Sequence, residues 1–481
     1  MTMTELDVRT DAEDATGLGA QPQSHDQSVA SSQGTVARRR PPKRNKWLDR
    51  WGWYEMRPEG AWSTTRQGEA LNLATTRRST RYEGLITGLN LMSHSTVIVD
   101  PFALYGSEIE NINIAVVGDI GKAKSSLIKT ATCWRQVTAG RQVVVIDKKR
   151  QGNRGGEYSV IADALGVPSI RFKTGGDGAR LNLMDPAISA GGDHGDGVVP
   201  AGQEALIAAV LEDTMQRTLS ETEIAALNLA LRLVNDRAAR DGHEPILAEV
   251  AEVLLSTPAE ATAEFGEVWT EDARLWGRDP GLALRRLCEG DLKGLVDSAT
   301  SSDVRQALDY PFVHFDVSDL PNKGPALRVV MTVINTWLAN VLAARSAERK
   351  QTLLIVEEGW HIAEGSTGRV FRDNMKLSRG LGLSTVSAFH HISDLPEDSP
   401  ARALMREAGI VFLYGQDRVD DAADAVRMYH LPPGSESLLM GLEKGQCLVK
   451  YGKADPILMQ HVRSEFEVAL TNTDEVIRGA A

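Results

Sequence analysis

Scarcity sets the first bounds on this chain. Only three cysteines occur in 481 residues, Cys133, Cys288 and Cys447, and they lie far apart with no Cys-x-x-Cys pair. Neither a disulfide framework nor a zinc knuckle is indicated, and the usage suits a reducing cytoplasm. Positive charge is in deficit as well: 53 Lys and Arg stand against 65 Asp and Glu, a formal net charge of -12. Nucleic acid is therefore not held by general basicity, and any contact with it has to be local. The opening MTMTELDVRTDAEDATGLGAQ lacks the basic and apolar regions of a secretory signal, so export is not expected. The longest charge-free apolar stretch, residues 329–344, is interrupted by Thr332, Asn335, Thr336 and Asn340. It falls short of the ~20 residues that span a bilayer and reads as a buried helix.

What is present is ordinary for a soluble globular protein: 42% hydrophobic and 25% charged residues, with 43 Gly. That composition excludes collagenous, coiled-coil and wholly disordered chains. The length allows about three domains, or one large enzyme core with insertions.

The N-terminal 36 residues are mostly Ser, Thr, Gln, Gly and acids, too poor in large apolar groups to offset the entropy of ordering. A basic run follows, with Arg38, Arg39, Arg40, Lys43, Arg44 and Lys46 kept from helix by Pro41 and Pro42. It suits either a solvated linker or attraction to an acidic surface such as anionic lipid, nucleic acid or a partner protein. Four of the nine tryptophans, Trp47, Trp51, Trp53 and Trp62, crowd the next segment. Local packing on the main domain accounts for them, and a partner-docking strip is the alternative. The expected organisation is a disordered tail over 1–46, a Trp-rich segment packing on the core over 47–98, and a core in two parts, 99–200 and 311–475. An all-helical insertion fills 201–310, and 476–481 is a C-terminal tail.

The core alternates strands with helices. INIAVVG at 112–118 and RQVVVID at 141–147 are buried strands flanking a helical segment from Lys124. PSIRF, FVHFDV, TLLIVEE, LSTVSAF, GIVFLYG and QCLVKYG continue the pattern, which predicts an α/β fold: a mostly parallel sheet with helices on both faces. From 201 to 310 the pattern is helical alone, and Ser220 with Glu223 three residues later forms a capping box.

The chemistry concentrates in NIAVVGDIGKAKSSLIKT, an apolar strand running through a short glycine-containing loop into a helix. The phosphate-loop pattern G-x-x-x-x-G-K-[ST] maps onto Gly118, Asp119, Ile120, Gly121, Lys122, Ala123, Lys124 and Ser125, with Ala123 in place of the second glycine. Such a loop gathers backbone N–H groups on the β-phosphate, brings a lysine to the β/γ oxygens and offers a hydroxyl to Mg²⁺. Residues 118 and 121–126, that is Gly118, Gly121, Lys122, Ala123, Lys124, Ser125 and Ser126, are the candidate nucleotide ligands. TLLIVEEGW supplies the second half: Glu357 and Glu358 close a strand at the sheet edge where ligands of α/β proteins bind. Glu357 is placed with Ser125 on the metal, and Glu358 as the base that activates the attacking water.

The P-loop, EEGW, RDNMKLSRGLGLSTVSAFHHISDL and the C-terminal LMGLEKGQCLVKYGKADPILMQHVRSEFE together resemble the conjugal-transfer ATPases of type IV secretion systems, in the FtsK/HerA superfamily. The likeness covers residues 99–475 and is strongest to shorter actinobacterial forms. It implies a RecA-like P-loop core with an inserted helical domain, and a homo-hexameric ring binding ATP and Mg²⁺ between neighbours. It also implies Arg379 as an arginine finger, His390 as a polar sensor and Asp147 as the acid after the second strand. Relatives carry Gly at position 123, Asp at position 357 and a D-P-K-G-E run where this chain has DKKRQGNRGGEY. The function expected is an ATP-driven motor or assembly ATPase of a conjugation apparatus, in the cytoplasm or at the cytoplasmic face of the membrane, partnered by secretion proteins. A DNA-pumping translocase or coupling protein is one alternative. A scaffold that holds ATP without hydrolysing it is the other.

Overall fold

The computed structural model describes residues 46–51, 83–152, 155–188, 200–256, 267–322, 325–345, 348, 350–357, 365–393, 395–397 and 399–471. The chain divides into two compact units, Met1–Arg77 and Arg78–Ala481. In the first, a single helical turn, Lys46–Asp49, carries Trp47 next to Trp51, with ring centroids 6.3 Å apart and both rings exposed. Most of the expected tail, the basic run up to residue 45, Trp53 and Trp62 lie outside the described residues, as do 476–481.

The second unit is built on an eleven-stranded sheet. In chain order the strands are β1 Ile86–Asn90, β2 Thr96–Ile98, β3 Ile114–Val117, β4 Gln142–Asp147, β5 Ser169–Arg171, β6 Phe312–Asp316, β7 Thr352–Val356, β8 Leu383–Phe389, β9 Ile410–Tyr414, β10 Gln446–Tyr451 and β11 Ile457–His461. Their spatial order is β2-β1-β11-β10-β9-β3-β8-β7-β4-β6-β5. From β9 to β5 every pairing is parallel, and from β9 out to β2 every pairing is antiparallel.

The parallel strands are apolar on both faces, and their alternation sorts residues between two cores. Val143, Val145, Leu353 and Ile355 pack on one side with Leu127 and Ile128. Val144, Ile146, Leu354 and Val356 pack on the other, against the long helix Pro325–Ala344 and the helices that follow β5. Between β5 and β6 the described elements are helical, chiefly Gln203–Met215, Glu221–Asp241, Leu247–Ser256 and Glu267–Glu289. Ser220 caps the second of these through the Glu223 N–H, and Glu223 returns a bond to the Ser220 N–H at 2.8 Å. Leu206, Val210, Leu227 and Val250 extend the sheet's own core rather than forming a separate one.

Pro325–Ala344 is long and apolar enough to cross a membrane, yet its side chains are buried in protein. Two of its four polar interruptions have partners: Asn340 donates to the Ala201 carbonyl at 3.0 Å, and Asn374 donates to Thr336 Oγ1 at 3.2 Å, whereas Thr332 Oγ1 and Asn335 Nδ2 have none among the described residues. The sheet also begins earlier than residue 99. β1 and β2 pair with each other and β1 pairs with β11, so residues 86–90 and 96–98 are strands of the sheet itself.

Candidate nucleotide-binding site

β3 delivers the chain to the carboxyl edge of the parallel sheet, and the loop after it is shaped by three left-handed residues. Gly118 has φ 148°, and a Cβ there would lie 2.6 Å from Tyr414 Cβ, so close approach to β9 demands glycine. Gly121 follows at φ 82° and Ala123 at φ 79°. Ala123 thus keeps the left-handed backbone of the glycine it replaces, at a cost of about 1–2 kcal/mol. A continuous helical run begins at Lys124: an α-turn Lys124–Leu127, a π-helical stretch Ile128–Trp134 and a last turn Arg135–Thr138. Leu127, Ile128 and Cys133 anchor it in the core.

The buried Lys124 folds back on the loop. Its ammonium donates to the Gly118 carbonyl at 2.5 Å and the Asp119 carbonyl at 2.9 Å, and lies 3.1 Å from His390 Nδ1. Parallel pairing of Val117 with Phe389 brings His390 to the loop. Lys122 pairs with Asp417 at 2.7 Å, and Ser126 Oγ receives a bond from Arg463 at 3.3 Å.

Ser125 Oγ donates to Glu357 Oε2 across 3.1 Å, joining the loop to the end of β7. Glu357 is buried and meets two further groups, Lys149 Nζ at 3.1 Å on the same oxygen and the Tyr158 hydroxyl at 2.5 Å on the other. Burial alone would raise its pKa, but Lys149, Lys129 and the Tyr158 hydrogen bond outweigh that and hold the carboxyl below its ordinary range. Lys129, itself buried, pairs with Glu157 at 2.9 Å. At the end of β4, Asp147 accepts from the Tyr158 N–H at 2.8 Å and faces His314 Nε2 at 3.2 Å. Burial raises the Asp147 pKa although His314 opposes the shift.

The structure therefore brings together Gly118, Gly121, Lys124, Ser125, Glu357 and His390. Glu358 lies outside the described residues. Arg379 sits in the short helix Ser378–Leu381 that leads into the start of β8, at the sheet end opposite the loop. Lys149, Tyr158, Lys129 and Glu157 are site residues that sequence reasoning did not single out. Their one signal was the charged DKKRQGNRGGEY segment after β4, which supplies Lys149, Glu157 and Tyr158.

No protein-family model matches the sequence, and no curated protein matches it either. Solved structures do. VirB4 of Thermoanaerobacter pseudethanolicus superposes with a TM-score of 0.62 at 21% identity, covering 81% of this chain and 99% of that one. The plasmid coupling protein TrwB with a non-hydrolysable GTP analogue gives a TM-score of 0.47 at 14% identity, over 73% of this chain and 86% of that one. The fold is accordingly that of the P-loop NTPases, a mixed and mostly parallel α/β sheet, as the sequence pattern predicts. Within that class it is the VirB4 fold over almost the whole of that protein's solved chain.

Proposed function

We propose that this chain binds ATP with Mg²⁺ and hydrolyses it as a ring-forming ATPase of a conjugative-transfer or type IV secretion apparatus. The observation that carries the reading is the meeting of Ser125 Oγ with the Glu357 carboxylate, 3.1 Å apart, beside a buried Lys124 at the start of the helix. A loop hydroxyl facing an acid at the end of another parallel strand fits a Mg²⁺–triphosphate, and the low pKa of Glu357 keeps that acid ionised. When bound, Mg²⁺ would supply positive charge to offset the negative charge that develops on the transferred phosphoryl group. Ser125 and Glu357 would hold it. Lys124 would exchange its two loop carbonyls for phosphate oxygens, with His390 beside it as the sensor. Glu358 is assigned to activating the water, and Arg379 to a neighbouring subunit's nucleotide within a homo-hexamer. VirB4 of Thermoanaerobacter pseudethanolicus shares the fold, which supports the choice of apparatus. Secretion proteins are the partners proposed, with DNA as a transferred substrate and the basic run 38–46 as the contact to an acidic membrane surface.

Two observations favour the scaffold reading instead. Ala123 stiffens the loop, and Lys149 already neutralises Glu357. Measuring ATP binding and turnover on the purified chain, with and without DNA, separates the readings. Mg²⁺-dependent hydrolysis that Lys124→Ala abolishes is expected. Tight binding with no turnover would establish the scaffold, and turnover that requires DNA would establish a translocase. Failure to bind ATP at all would overturn the assignment.

A further inference from the structure

A second cluster meets the loop at Asp119. His391, following His390 at the end of β8, places Nδ1 3.0 Å from Asp119 Oδ1 and 2.9 Å from Asp421 Oδ2. The three atoms lie within 4.8 Å of one another. Asp119 belongs to the loop, and Asp421 to the helix Val419–Tyr429.

We propose that Asp119, His391 and Asp421 bind one borderline divalent cation of the Zn²⁺ type, at a site separate from the Mg²⁺–nucleotide site. Its first support is an orphaned atom. Asp119 is 4% exposed and Asp421 is fully buried. The imidazole Nδ1 carries at most one proton, and the hydrogen-bond geometry gives that proton to Asp421. Asp119 Oδ1, though only 3.0 Å from the ring nitrogen, is left without a hydrogen bond. A buried acceptor in that condition is destabilising, and a cation shared by all three lone pairs would satisfy it.

The second support is orientation. Asp119 Oδ2 is held by the Asp417 N–H, and Asp421 Oδ1 accepts from the Ser393 N–H at 2.8 Å. Each carboxylate thus has one oxygen fixed by backbone and the other turned towards the imidazole, as outer-shell bonds orient metal ligands. Tetrahedral ligands ~2.0–2.2 Å from Zn²⁺ stand about 3.3–3.6 Å apart, a few tenths of an ångström more than the two separations to the imidazole and within the 4.8 Å that bounds all three atoms. The imidazole nitrogen selects Zn²⁺ over Mg²⁺. Charge agrees: two buried carboxylates face one imidazole, and the nearby Lys122 is engaged by Asp417. His391 is 21% exposed, which leaves an approach for the ion and its water ligands. Bound there, the cation would tie the first loop residue after Gly118 to β8 and to the helix Val419–Tyr429.

The test uses the full chain without nucleotide, so its outcome does not depend on ATP binding. Zn²⁺ titrated in competition with a chromogenic chelator should bind at one equivalent per chain. His391→Ala and Asp421→Asn should each weaken it by roughly a hundredfold or more, a loss at least equal to that of removing outer-shell partners. Glu357→Gln, which alters the Mg²⁺ side alone, should leave it unchanged. Co²⁺ on the wild-type chain should give a visible absorption band that one equivalent of Zn²⁺ abolishes, a readout independent of how the variants fold. Absence of that band, or a folded His391→Ala chain that binds Zn²⁺ like the wild type, would reduce the cluster to a hydrogen-bonded strut and overturn the proposal.

Discussion

The two parts of the sheet meet the P-loop helix from different sides, with different chemistry. In the parallel part, β3, β4, β6, β7, β8 and β9 bury every residue, and their carboxyl ends supply Gly118, Asp147, Glu357 and His390 to the site. In the antiparallel part, β1 leaves Ile86 and Leu89 exposed, and its neighbours touch the back of the helix instead. His461 at the end of β11 meets Thr130 Oγ1 at 2.8 Å. Arg135 forms a two-pronged pair with Glu467 at 2.6 and 2.8 Å and also donates to the Val462 carbonyl at 2.6 Å. On the proposed function one part would hold the nucleotide, while the other fastens the helix that carries Lys124. If that division holds, affinity and stability can be changed independently.

The largest effect should come from the parallel side. Lys124→Ala removes the ammonium that suits the β/γ phosphates, and kcat/KM for ATP should fall at least ~10³-fold, or about 4 kcal/mol. A melting temperature close to that of the wild type should accompany the loss. Near-wild-type turnover in the variant would remove the loop from the chemistry, and coincident unfolding would blur the division.

The antiparallel side predicts the opposite pattern. Burial, reinforced by Arg135 and Arg463, depresses the His461 pKa from 6.5 to about 4, against the pull of its bond to the Thr87 carbonyl. A depressed histidine is neutral in the folded chain, while the unfolded chain binds the proton more readily. Its stabilising contribution is therefore full above about pH 6.5 and is lost as pH falls towards 4. The loss amounts to about 3 kcal/mol. Denaturant titrations across that window should show the slope in the wild type and not in His461→Gln, with ATP affinity at neutral pH little changed. Parallel slopes for both chains would put the pH dependence elsewhere.

A smaller effect should sharpen the ligand side. Lys149 Nζ and Ser125 Oγ share Glu357 Oε2, so the ammonium competes for the oxygen assigned to Mg²⁺. Lys149→Met should lower the Mg²⁺ concentration for half-maximal ATP binding by about tenfold, equivalent to ~1.4 kcal/mol. An unchanged Mg²⁺ requirement would place the metal away from Glu357.

The same division explains what could be seen in the sequence. Strands buried on both faces are written as unbroken apolar runs, and IAVV, QVVVID, TLLIV and IVFLY announce themselves without knowledge of their neighbours. β1 is ITGLN, and its Gly88 reads as a breaker. Only pairing shows its purpose, because a Cβ at that position would lie 2.3 Å from the Gln460 carbonyl oxygen. β2 has three residues, too few for alternation to register. In the site, Lys124 and Ser125 were legible because one local motif holds them, and Glu357 because it ends an apolar strand. Lys129 on the loop's helix meets Lys149, Glu157 and Tyr158 of the segment after β4, and no local pattern encodes that meeting.

The smallest prediction concerns the residue where motif and structure diverge. Ala123 occupies φ 79°, ψ 24°, a conformation costing an L-residue about 1–2 kcal/mol, whereas glycine adopts it freely. Ala123→Gly removes that strain but also loosens the unfolded chain, which offsets roughly 0.4–1 kcal/mol of the gain. The net stabilisation should lie between zero and about 1.6 kcal/mol, centred near ~0.8, seen as a small upward shift of the denaturant midpoint at constant slope. The loop's amides stay where the left-handed backbone already puts them, so ATP affinity should change little. If Ala123→Gly instead raises turnover tenfold or more with no change in stability, the methyl group hinders the bound phosphates rather than the backbone. Ala123 would then act on the ligand, and the separation between holding the helix and holding the nucleotide would fail at its first residue.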